Sequence, residues 1–83
     1  FIKLKNLNRL DLANNQIVHL ENKTFKSLFF LEYLNLSNNL LESLDSQLFA
    51  DQMNLKVLDL SNNSIDHIPR SLFRNSNNLL SLY

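Results

Sequence analysis

The side chains with chemical capacity in this chain come in pairs with one separation. Asp11 and Asp59 are 48 residues apart, and so are His19 and His67, with Ser43 midway between the histidines. The chain contains no cysteine and no glycine. Two carboxylates on one face can share acid and base work if held roughly 6.5–9.5 Å apart, with one of them buried. Two imidazoles can begin a zinc site, which needs nitrogens about 2.0–2.1 Å from the metal and further ligands. A histidine beside a serine can begin a nucleophilic triad. Each possibility depends on where the backbone puts these residues, and one spacing governs the whole chain.

That spacing is 24 residues. It relates Leu7, Leu31, Leu55 and Leu79; Leu10, Leu34, Leu58 and Leu82; and Leu12, Leu36 and Leu60. It also relates Asn15, Asn39 and Asn63; Ile17, Leu41 and Ile65; Leu20, Leu44 and Ile68; and Phe1, Phe25, Phe49 and Phe73. Self-similarity at such a period marks a solenoid, in which each unit buries its apolar side only against its neighbours. Three complete repeats are expected, 7–30, 31–54 and 55–78, flanked by partial repeats 1–6 and 79–83. Neither end carries a polar cap, so the chain reads as an internal segment of a longer protein, with core residues open at both ends: Phe1, Leu4, Leu7 and Leu10, then Leu72, Phe73, Leu79 and Leu82.

Around each L-x-L the residues alternate inward and outward, the period of a strand. Segments 9–13, 33–37 and 57–61 should pair as a parallel sheet with neighbours about 4.8 Å apart. The chain must turn after each strand without glycine. The pairs Asn14-Asn15, Asn38-Asn39 and Asn62-Asn63 sit there, because asparagine tolerates left-handed backbone angles. The second of each pair (Asn15, Asn39, Asn63) is expected to face inward and to satisfy loop backbone as a stacked ladder. The back of the coil looks less regular. Leu28 follows Phe25 by three residues, whereas Gln52 and Ser76 hold the equivalent slots.

This architecture disposes of the candidate chemistry. Asp11 and Asp59 fall two strands apart, roughly 10 Å, with nothing to bury either. The histidines are separated likewise, with Ser43 between them but no third ligand, and no nucleophilic triad is found. Without glycine there is no phosphate-binding loop. No catalytic residue, metal or cofactor is expected, and the chain reads as a non-enzyme. Eight basic residues balance eight acidic ones, so no field favours nucleic acid. No apolar run approaches the roughly 18 residues of a membrane helix, so no membrane contact is expected of this segment.

The pattern L-x-x-L-x-L-x-x-N-x-[LI]-x-x-[LI]-x-x-x-x-F is identified as that of the leucine-rich repeat, and the F-x-x-x-x-x-L spacing joined to it resembles the 24-residue typical class. The stretches LEYLNLSNNLLESLDSQLF and LKVLDLSNNSIDHIPRSLF are similar to repeats of Toll and Toll-like receptor ectodomains, and to those of neuronal adhesion and guidance proteins. The resemblance covers the whole chain. It implies an α/β solenoid: a right-handed coil with a parallel β-sheet on the concave face and loops or short helical turns on the convex face.

It also implies an extracellular or cell-surface module of protein or pattern recognition, with a protein ligand or self-association as partner. An adhesion or matrix-type structural protein is the alternative, and an intracellular scaffold the third. The outward sheet positions Arg9, Asp11, Tyr33, Asn35, Val57, Asp59, Ser81 and Tyr83 are the candidate ligand-facing residues, with Ala13, Ser37 and Ser61 as a further column. Asn22-Lys23-Thr24, Asn35-Leu36-Ser37 and Asn62-Asn63-Ser64 fit the N-glycosylation acceptor pattern. If Asn35 carries glycan, ligand contact is expected to move to the lateral column Gln16, Leu40 and Ser64.

Overall fold

A strand in this chain can be only a few residues long, because after one inward leucine the backbone must already begin to turn. The computed structural model describes residues 6–69, 71–76 and 79–83. It contains β1 (Arg9–Asp11), β2 (Tyr33–Asn35), β3 (Val57–Asp59) and β4 (Ser81–Leu82), which form one parallel sheet in sequence order. Every residue pairs with the one a full repeat later: Arg9, Tyr33, Val57 and Ser81 in one row, Leu10, Leu34, Leu58 and Leu82 in the next. The ladder runs beyond the strands. Lys56 and Val57 N–H both donate to Glu32 O at 2.8 and 3.0 Å, and Asn38 N–H donates to Ser61 O at 3.0 Å.

The core lies between the sheet and the back of the coil. Leu31, Leu34, Leu36, Leu41, Leu55 and Leu58 are fully buried there, each burial worth roughly 1.5–3 kcal/mol. Phe25, Phe49 and Phe73 stack as the spacing predicts, with ring centroids 6.0 and 6.2 Å apart and planes within 12° and 5°. Phe1, the fourth member of that column, lies outside the described residues with most of partial repeat 1–6, as do Arg70, Asn77 and Asn78 of repeat 55–78. Ile68 is 41% exposed, whereas Leu20 and Leu44 in the same column are buried. Leu72, expected to lie open, is buried because its turn folds it back on the preceding coil.

The asparagine pairs divide two tasks. Asn14, Asn38 and Asn62 adopt φ of 60°, 57° and 57°, so the first of each pair turns the corner in the left-handed region. The second satisfies backbone. Asn39 Nδ2 donates to Leu12 O, Leu36 O and Ser37 O at 3.0–3.2 Å, and its Oδ1 accepts from Ile17 N–H at 3.2 Å. Asn63 repeats this one coil on, bonding Leu36 O, Leu60 O, Ser61 O and Leu41 N–H. Asn15, expected to face inward with them, is instead exposed, and its Nδ2 bonds Leu12 O and Ala13 O of its own corner.

The back of the coil is more regular than its side chains suggest. Donors 24, 26 and 28, then 48, 50 and 52, then 72, 74 and 76 each bond the carbonyl three residues earlier. Because the donors alternate, the result is a run of turns, and no helix forms among the described residues. Gln52 and Ser76 keep the register by polar means. Gln52 Nε2 donates to Phe25 O and Leu28 O at 2.8 and 3.1 Å, and Ser76 Oγ to Gln52 O at 3.3 Å. Both residues are buried.

Two substitution series follow from these bonds. Asn39→Ala should cost about 1–3 kcal/mol by leaving buried backbone groups short of partners. Asn38→Ala should cost about 1 kcal/mol for its left-handed angle, and Asn38→Gly almost nothing. Equal urea midpoints for Asn39→Ala and Asn38→Gly would contradict this division of labour. At Gln52 the Oε1 is buried without a partner, and the carbonyls served by Nε2 already accept from Leu28 and Leu31 N–H. Gln52→Leu should therefore melt within about 1 kcal/mol of wild type, and Gln52→Glu should lose about 3 kcal/mol or more.

Candidate functional site

Outward positions on the sheet are free of the packing rule, so side chains of differing chemistry line up there. Arg9, Tyr33, Val57 and Ser81 form one row. The Arg9 guanidinium lies 3.8 Å from the centroid of the Tyr33 ring. A contact of this kind at an exposed site is worth about 0.5–1 kcal/mol. Tyr33 OH accepts from Asn35 Nδ2 at 3.4 Å. Arg9, Tyr33 and Asn35 are thus held as one unit spanning β1 and β2, with the half-buried Val57 beside it on β3.

The second row does a structural job that the alternation pattern alone did not reveal. Asp11, Asn35 and Asp59 each turn an Oδ1 onto the backbone N–H two residues ahead, at 3.0, 2.9 and 3.0 Å. Asp59 Oδ1 also accepts from Ser61 Oγ at 2.6 Å. These side chains satisfy the donor exposed where each strand ends, a job suited to Asp and Asn. The recurring [DN]-L-[AS]-N-N run was the available signal. Tyr83, one residue past β4, continues the row and is 65% exposed. The third outward column does not form as expected. Ser37 is buried because the chain has begun to turn, and Ala13 and Ser61 are half-buried.

The paired residues of possible catalytic interest are not brought together. Asp11 and Asp59 are separated by the Asn35 strand, each with one oxygen committed to backbone. His19 and His67 are exposed. Among the described residues no three His, Cys, Asp or Glu side chains are grouped to hold a metal ion, and no helix is long and apolar enough to cross a membrane. On the back, a groove of about 220 Å³ between the first two runs of turns is lined by residues including Asn22, Lys23, Lys26 and Gln47. The three acceptor asparagines differ in setting. Asn22 and Asn62 are exposed, whereas Asn35 is half-buried with both ends of its amide engaged.

A family model described as leucine rich repeat matches residues 1–41 and 30–83, which together span the chain. The chain belongs to the leucine-rich repeat family. Repeats of this family typically serve as protein–protein interaction modules without enzymatic activity. Among curated proteins, none matches the chain.

The second row gives a direct test of its structural role. Asp59→Asn keeps the accepting oxygen and should stay within about 0.5 kcal/mol of wild type. Asp59→Ala leaves Ser61 N–H unpaired on a half-buried corner and should cost about 1 kcal/mol. Matching denaturation midpoints for the two variants would show that Asp59 Oδ1 is dispensable.

Proposed function

We propose that this segment belongs to the extracellular part of a Toll-type leucine-rich repeat receptor and binds a protein ligand through its sheet face. The observation that carries the reading is the Arg9–Tyr33 stack on the open face. Arginine and tyrosine supply much of the energy at protein interfaces, and a pair already fixed on a sheet loses little freedom on binding. The committed Oδ1 atoms of Asp11, Asn35 and Asp59 hold the neighbouring row rigid, and the second carboxylate oxygens of Asp11 and Asp59 add hydrogen-bonding capacity at its rim. Val57, Ser81 and Tyr83 extend the surface along the coil. The extracellular setting draws support from three acceptor sequons, two of them on exposed corners.

The experiment is secretion from animal cells, glycopeptide mass spectrometry and position-specific photo-crosslinking. Asn22 and Asn62 should carry glycan, and Asn35 should be largely bare. A secreted chain bare at Asn22 and Asn62 would remove the glycoprotein part of the reading. A photo-crosslinking side chain in place of Val57 should capture a ligand protein, and Arg9→Glu should reduce that capture at least 10-fold. Capture of the same protein with equal yield from position 26 on the back of the coil, insensitive to Arg9→Glu, would place binding elsewhere.

A further inference from the structure

The lead-in segments before β2 and β3 build an edge that the sheet-face reading does not use. Residues 29–32 and 53–56 lie one above the other, joined by Lys56 N–H to Glu32 O at 2.8 Å and by Asn54 Nδ2 to Phe29 O at 2.9 Å. Phe29, Phe30 and Met53 are 42, 56 and 51% exposed on this edge. The 24-residue register sets Phe29 over Met53 and Glu32 over Lys56. Beside the apolar group, Lys56 Nζ lies 3.4 Å from Glu32 Oε1, both side chains about half exposed. None of the acceptor asparagines, Asn22, Asn35 or Asn62, falls in either segment.

We propose that this edge docks a second copy of the chain across a two-fold axis that sets Glu32 of each copy opposite Lys56 of the other. A two-fold interface needs a patch complementary to itself, with residue i meeting j and j meeting i. This patch has that form. One half is aromatic and acidic (Phe29, Phe30, Glu32), and the other carries the thioether and the base (Met53, Lys56). Antiparallel apposition puts each half on its complement, with methionine sulfur against aromatic ring, a favourable contact. An exposed ion pair within one chain is worth little, so exchanging it for the equivalent pair between chains has a small penalty. The apolar strip is only a few residues wide, below the roughly 800 Å² per partner of a stable interface. The dimer is therefore weak in solution, and it is strengthened where chains are confined together.

The test is sedimentation of the whole chain from about 10 µM to 1 mM at low salt, with single charge reversals and their mixture. Wild type should shift from monomer to dimer over this range. Glu32→Lys places lysine opposite lysine, and Lys56→Glu places glutamate opposite glutamate, so each alone should associate at least 10-fold more weakly. An equimolar mixture of the two should form a heterodimer at least as readily as wild type. Mixing cannot repair the broken pair within either chain, so recovery on mixing reports a contact between chains. Wild type that stays monomeric throughout overturns the proposal. So does association that persists unchanged in both variants, which would indicate stacking through the open coil ends. Circular dichroism melts confirm that each variant is folded before its sedimentation is read.

Discussion

A sharp corner made without glycine leaves carbonyls of the turning chain pointing into the core, and buried carbonyls need donors. The Asn39 and Asn63 amides supply them. Each serves its own corner and the preceding coil at once, donating to carbonyls 2 and 3 residues earlier and to one 27 residues earlier. The amide oxygen adds an N–H 22 residues earlier. One side chain thus closes a turn, spaces two coils and fixes their register. The in-register sheet and the phenylalanine stack are compatible only with that spacing.

The opposite side of the coil reaches the same end with less uniform means. Where Leu28 fills a slot with methyl groups, Gln52 fills its equivalent with an amide bonded to the coil before, and Ser76 follows with a hydroxyl. Asn54 and Asn75 add further bonds to carbonyls one coil back. Bonds within each coil shape its turns, and these side chains add a second set that runs along the axis, between coils. A single coil in isolation would leave the Gln52, Asn54 and Asn75 side-chain donors without these partners, so stability depends on neighbours, as expected of a one-dimensional array.

This division explains what could be read from the residues alone. Inward positions repeat because one shape must fit the next, so the leucines, Asn39 and Asn63, and Phe25, Phe49 and Phe73 announced sheet, ladder and stack by spacing. Gln52 was harder, because a long amide in an apolar slot looks like a defect until its partners 24 and 27 residues away are known. Asp11, Asn35 and Asp59 misled in the other direction. Alternation placed them outward, which is correct, but it does not reveal that one oxygen of each bends back to the corner. Ser37 shows the limit of the alternation itself, since a period of two fails once the strand has ended.

Function is freest where the repeat is silent. The row Arg9, Tyr33, Val57 and Ser81 has no common chemistry, and neither does the lead-in pair of Phe29 with Met53 or of Glu32 with Lys56. A solenoid tolerates such variety because an outward side chain sees only its neighbours along the axis, and it can change without moving the backbone. The Arg9–Tyr33 stack and the Glu32–Lys56 pair illustrate the consequence. Both are contacts between adjacent coils that the repeat places within reach but does not require. Both lie on surfaces where polar and apolar groups alternate over a few ångströms. The same axial register that holds the core together thus brings side chains that it does not require into contact on two separate faces of the coil.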